Sequence, residues 1–132
     1  MKKTVKRALA LGICVMLILS SVVFVSAASA TFFTKTSGSH RCTGRGTVTG
    51  GKGQAVFNAT AIPGKPIFPD EAYDCLIWVY AFDSEGKPLG AVFDTGHTSS
   101  IATYSSDLGH IDFISCSFNF NGENLGTYFL YK

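Results

Sequence analysis

The clearest pattern of apolar and polar positions lies in the segment YDCLIWVYAF, residues 73–82. Alternate residues of an extended strand point to opposite faces. Both faces are apolar here, with Cys75, Ile77, Val79 and Ala81 on one and Leu76, Trp78, Tyr80 and Phe82 on the other. Such a strand sits centrally in a sheet, covered on each side or presenting an aromatic face to a partner. Trp78, Tyr80 and Phe82 are therefore the candidate binding surface.

Similar short patterns recur along the chain and predict seven or eight strands. HIDFISCSFNF places Ile114, Cys116 and Phe118 on one face, and Asn121-Gly122 after it suits a tight hairpin. Further strands are predicted at residues 31–35, 40–50, 54–62, 89–93, 101–105 and 124–132. No segment shows sustained helical periodicity, and turn residues recur about every ten positions. We predict an all-β domain, a single small β-sandwich with immunoglobulin-like or Greek-key connections, with a small barrel as the alternative.

The first thirty residues have the order of a secretory signal peptide. Lys2, Lys3, Lys6 and Arg7 precede an apolar run, and small residues then permit cleavage after Ala27 or Ala30. The alternative is an uncleaved membrane anchor. We predict a signal peptide over residues 1–30 and the sandwich over residues 31–132. The protein would be secreted and extracellular, with cell-wall association left open and no stable membrane insertion after cleavage.

Removing this segment changes the charge balance. It holds four of the eleven basic residues and none of the nine acids, so the remaining chain is net negative. Net charge thus gives no reason to expect a nucleic-acid partner. Five basic residues, from Lys35 to Lys65, precede every acid of the chain. They could form a cationic face for anionic cell-surface polymers, meet acids across the fold, or be solvated.

Three cysteines remain after cleavage: Cys42, Cys75 and Cys116. Export allows disulfide formation, and an odd number leaves one thiol over. We expect one disulfide pair among the three, while an intermolecular bond and buried thiols are the alternatives.

The segment AVFDTGHTSS resembles the catalytic loop of aspartic proteases in its Asp94-Thr95-Gly96 sequence. The resemblance implies a homodimer in which two copies of Asp94 share a proton. That family also needs a later apolar-apolar-Gly turn and a flap, which this chain lacks. We expect these three residues to be turn residues that end the strand at 89–93, and we predict no catalytic residue.

The remaining polar residues form no recognised metal site. His40, His97 and His110 are widely separated, with no partner at a metal-binding interval. The cluster PDEAYD lacks the alternating ligands of a calcium loop. We therefore predict no metal and no cofactor.

By elimination, the sequence favours a secreted bacterial protein with a non-catalytic binding or surface-interaction role. The expected partner is a protein, a cell-surface glycan or a wall polymer. A secreted antimicrobial or toxin-like polypeptide is the alternative, although the chain lacks a cationic amphipathic segment. A homodimeric aspartic protease using Asp94 is a minor alternative.

Overall fold

The residues that the structure describes form eight β-strands and no helix. The structure is a computed structural model that describes residues 27–66 and 74–132. Its strands are β1 (Ala28–Ser37), β2 (His40–Val48), β3 (Lys52–Ala61), β4 (Cys75–Phe82), β5 (Pro88–Gly96), β6 (Ser99–Ser105), β7 (Phe113–Phe120) and β8 (Glu123–Tyr131). The all-β prediction is confirmed. The predicted signal peptide up to Ser26 lies outside the described residues, within which no helix is long and apolar enough to span a bilayer.

The strands form two four-stranded antiparallel sheets that pack face to face. The first sheet has the order β1-β2-β3-β6 and the second the order β5-β4-β7-β8. Hairpins join β1 to β2, β2 to β3, β4 to β5 and β7 to β8. The chain passes between the sheets after β3, after β5 and after β6. The predicted sandwich architecture is therefore present.

The core consists of the inward faces of both sheets, as the alternation in β4 predicts. Cys75, Ile77, Val79 and Ala81 are all fully buried. Aromatic rings fill the space between the sheets, and the Phe33 and Phe118 centroids lie 5.1 Å apart in an edge-to-face arrangement. Aromatic and branched side chains contributed by both sheets thus form one continuous core.

Two features of the hairpins have a clear structural basis, and the first of them was predicted. Asn121 and Gly122 have φ angles of 50° and 81°, so the turn between β7 and β8 uses the left-handed backbone that Asn-Gly favours. In β2, the ring of Phe33 lies over Gly44, and a Cβ at this glycine would lie 2.9 Å from Phe33 Cζ. The glycine therefore makes room for a core ring of β1.

The expected disulfide is not present, because Cys42, Cys75 and Cys116 are all free, buried thiols. Cys116 pairs with Val79, which lies about 13 Å along β4 from Cys75, so Cys75 and Cys116 are more than about 13 Å apart. A disulfide requires Cα atoms within about 7 Å. Cys42 belongs to the first sheet and faces the second, where it lies near enough to Cys75 to help raise the pKa of that thiol, yet the two are not bonded. Burial raises the pKa of Cys42 to about 11 and those of Cys75 and Cys116 to about 12.

Candidate functional site

The outer face of the second sheet carries seven aromatic side chains. Strand pairing places them on one face, which we call the aromatic face: Trp78, Tyr80, Phe82, Phe93, Phe113, Phe129 and Tyr131. Trp78 is 36% exposed, Tyr80 40% and Phe129 56%. An apolar patch of this kind on a small domain marks an interaction site.

One end of the aromatic face is closed by a row of stacked rings. Phe82 pairs with Phe113, and Phe113 pairs with Tyr131 on the next strand. Their ring centroids lie 4.7 Å and 4.9 Å apart, which matches the spacing between neighbouring strands. The three rings therefore stand upright on the sheet and cover one another's faces.

The next two rows have serine on β7 where the first row has a ring. Ser115 lies between Tyr80 and Phe129, and Ser117 lies between Trp78 and Thr127. A serine is too short to fill the space between the flanking strands. The side chains along β7 are therefore shorter than those on both sides, and we call this lower strip the serine groove. Ser115 is only 8% exposed, so the flanking rings cover most of it. The groove spans two strand spacings, or roughly 9–10 Å.

One side of the serine groove is lined by Trp78 and Tyr80, which are partly exposed. Phe93 packs against Trp78 from the neighbouring strand, with ring centroids 4.8 Å apart and ring planes tilted by 32°. Tyr80 is nearly parallel to Trp78, at an interplanar angle of 20°. The two rings lie beside Ser117 and Ser115 respectively. Phe129 stands on the opposite side of the groove.

A cavity of about 610 Å³ lies beyond the other end of the serine groove. Leu76 and Asn119 form the row after Trp78 and Ser117, and both line this cavity. The remaining lining consists of Asp74, Thr95, His97 and two glycines, Gly96 and Gly122. A concave surface that is largely apolar and carries a few polar side chains is the usual form of a ligand site.

The aromatic face bears no charge. Its outward positions on the four strands hold aromatic, small or hydroxylated side chains together with Leu76, Pro88, Asn119 and Asn124, and no Asp, Glu, Lys or Arg. The floor offers hydroxyl groups, and Ser117 Oγ lies 2.8 Å from Thr127 Oγ1. Ligands that pair a neutral apolar surface with hydroxyl groups match this chemistry.

Asp94 lies outside the serine groove and joins the two sheets. Its Oδ2 accepts hydrogen bonds from Ser100 Oγ at 2.7 Å and from the Ile101 amide at 3.0 Å. These bonds hold the pKa of Asp94 below its ordinary value. The predicted turn at Asp94-Thr95-Gly96 is wrong, because the three residues pair with β4 and β5 continues to Gly96. The chain instead turns at His97 and Thr98.

The other candidate ligands do not converge in the described part of the chain. Residues 27–66 and 74–132 contain no group of three or more His, Cys, Asp or Glu side chains arranged to hold a metal. His40 is buried against Phe120 in the core, with ring centroids 5.5 Å apart, whereas His97 lines the cavity. Asp70 and Glu71 lie outside the described residues.

The structure thus places Trp78 and Tyr80 in the wall of the groove and Phe82 in the closing row. Sequence reasoning missed Ser115 and Ser117 as the floor. Their alternation with Ile114, Cys116 and Phe118 was the available signal. A scan against protein-family models and searches of curated proteins and of solved structures find no match for this chain.

Proposed function

We propose that this protein is a non-catalytic binding module that holds a neutral, linear glycan in the serine groove. The observation that carries the proposal is an uncharged sheet face on which short serine side chains lie between the exposed rings of Trp78, Tyr80 and Phe129. A pyranose ring has C–H groups on its faces and hydroxyl groups around its edge. It can therefore stack on aromatic rings while its edge forms hydrogen bonds with serine and asparagine side chains.

The width of the groove supports a ring standing between its walls. Roughly 9–10 Å separates β4 from β8. A sugar ring centred over β7 would therefore have its centre about 4–5 Å from the line of each flanking strand. The groove follows an extended strand and is therefore straight. This shape favours a β-1,4-linked chain, whose backbone is extended, over a helical α-1,4-linked one. The cavity at the end of the groove would receive the terminal sugar, next to Asp74, Thr95 and Asn119.

The proposal includes export of the protein, which brings the groove to extracellular glycans. The first strand bears on the cleavage site, because β1 begins at Ala28 and its first residues pair with β2. Cleavage after Ala27 would keep β1 whole, whereas cleavage after Ala30 would remove three paired residues. Mass spectrometry of the exported protein distinguishes Ala28 from Thr31 as its first residue, and an intact leader would contradict export by cleavage.

Calorimetric titration with chitohexaose, cellohexaose and maltohexaose tests the proposal. We expect binding to at least one of the two extended chains and weaker binding to maltohexaose. Trp78→Ala should weaken that binding about tenfold, which corresponds to the roughly 1.4 kcal/mol expected for losing one aromatic stacking contact. Ile101→Ala is the matched control, since Ile101 is an exposed apolar residue of the first sheet. Equal losses in both variants, or binding to none of the three glycans, would refute the proposal.

A further inference from the structure

The two sheets divide the charged residues of their strands by sign. The strands of the first sheet contain Lys35, Arg41, Arg45 and Lys52 and no acid. The strands of the second sheet contain Asp94 and Glu123 and no base. The separation of basic and acidic residues along the sequence therefore appears in the fold as a difference in charge between the two sheets.

Three of these cations form a line along the outer face of the first sheet. Arg41 and Arg45 are both exposed and lie four residues apart on the same side of β2, a distance of about 13 Å. Lys52 lies opposite Thr49, and its carbonyl accepts a hydrogen bond from the Thr49 amide. Because Thr49 is four residues beyond Arg45, Lys52 continues the line. Lys35 does not belong to this line, because its Nζ donates to the Leu125 carbonyl at the side of the sandwich.

Hydroxyl and amide groups make up most of the surface around the line of cations. The outward positions hold mainly short polar side chains: Thr31, Thr34, Thr36, Thr43, Thr47, Gln54, Asn58, Thr60, Ser99 and Thr103. The exceptions are Val56, which lies opposite Arg45, and Ile101 beside it. A shallow cavity of about 270 Å³ lies beside Arg45 and is lined by Ser29, Ala30, Thr31, Gly46 and Thr47 as well. A guanidinium flanked by hydroxyl donors matches the oxygens of a phosphate group.

We propose that the outer face of the first sheet is a second binding surface, which takes a linear phosphodiester polymer with a polyol backbone. One phosphate occupies the cavity at Arg45, and phosphates further along the chain in each direction interact with Arg41 and Lys52. The outward positions of the described strands in this sheet contain no aromatic residue. Proteins that hold single-stranded nucleic acids stack bases on aromatic side chains, so the face fits a polymer without bases.

This surface is independent of the serine groove, because the two lie on opposite sides of the sandwich. Each can therefore fail its test without the other. A chain that carries both could bind two different polymers of a cell envelope at once.

Calorimetric titration with a synthetic poly(glycerol phosphate) oligomer tests the second surface. Arg45→Gln should weaken binding about tenfold, as expected for the loss of one charge-assisted phosphate contact of roughly 1.4 kcal/mol. Lys87→Gln is the matched control, since it removes the same charge from an exposed loop between β4 and β5. It should change the affinity by less than about twofold. Equal losses in the two variants would overturn the proposal.

Salt dependence gives a second readout. Three phosphate contacts predict a slope of roughly −2 for the logarithm of the binding constant against the logarithm of salt concentration. Arg45→Gln should reduce the magnitude of that slope by about 0.7. A slope near zero would overturn the proposal. Equal or tighter binding of single-stranded DNA with the same number of phosphates would also overturn the proposal. Equal or tighter binding of polygalacturonate would do the same, because either result would show no preference for a polyol phosphate backbone.

Discussion

Filling the serine groove with an aromatic ring should abolish glycan binding without harming the fold. Ser115 lies between Tyr80 and Phe129, just as Phe113 lies between Phe82 and Tyr131 in the neighbouring row. Ser115→Phe would therefore repeat an arrangement that the protein already has. The new ring would occupy the space in which we place the sugar.

The effect on stability can be worked from the neighbouring row. There, ring centroids 4.7 Å and 4.9 Å apart show that three rings fit side by side. Cross-strand aromatic pairs contribute about 0.2–1 kcal/mol each, so two new pairs should stabilise the domain by about 1 kcal/mol. For a domain of this size, that corresponds to a rise in Tm of roughly 4–8 °C.

Thermal unfolding and calorimetric titration with the preferred hexasaccharide measure the two effects. We expect Ser115→Phe to have a raised Tm and no detectable binding. Ser115→Ala is the control, because it leaves the groove open and should bind nearly as the wild type does. Unchanged binding by Ser115→Phe would refute the groove as the site, and a marked fall in its Tm would refute the geometry of the rows.

Two further predictions concern the core. Gly44→Ala would push a Cβ into the ring of Phe33. Overpacking of this kind should lower the free energy of unfolding, measured with denaturant, by about 1–3 kcal/mol. The control is Thr43→Ala, which changes an outward side chain and should lower that free energy by less. Burial raises the pKa values of the three thiols to about 11–12 in the folded state, whereas a free thiol has a pKa of 9.0. The contribution of these thiols to the free energy of unfolding is therefore complete below about pH 9 and is lost as the pH rises toward 12. Between pH 8 and pH 10, the free energy of unfolding should therefore fall less for Cys116→Ala than for the wild type. In addition, the thiols of the native protein should not react with iodoacetamide until the protein is unfolded. Rapid labelling of the native protein at pH 8 would contradict this account.

The sequence predicted the fold wherever local chemistry decides the structure. Strict alternation in β4 separates the buried Val79 from the exposed Trp78, and Asn121-Gly122 determines its own turn. The pairing of β3 with β6 could not be predicted in this way, since it joins segments about forty residues apart and depends on how the sheets stack. The end of β5 was misplaced for a related reason. Asp94 has the composition of a turn, but pairing with β4 keeps it in the strand.

The candidate site was predictable only in part for the same physical reason. Trp78 and Tyr80 could be placed on one face because both belong to a single strand. The groove also needs Ser115 from β7 and Phe129 from β8, in matching rows. A shift of one residue in either register would exchange their inward and outward side chains, and the sequence of one strand does not determine that register.

The central claim is that the serine groove holds a neutral glycan, and an NMR titration of the ¹⁵N-labelled protein with the preferred hexasaccharide tests it most directly. We expect shifts concentrated at the backbone amides of Tyr80, Ser115, Ser117 and Phe129, with little change at Arg45 on the opposite sheet. Shifts concentrated on the first sheet, or no shifts up to millimolar glycan, would contradict the account.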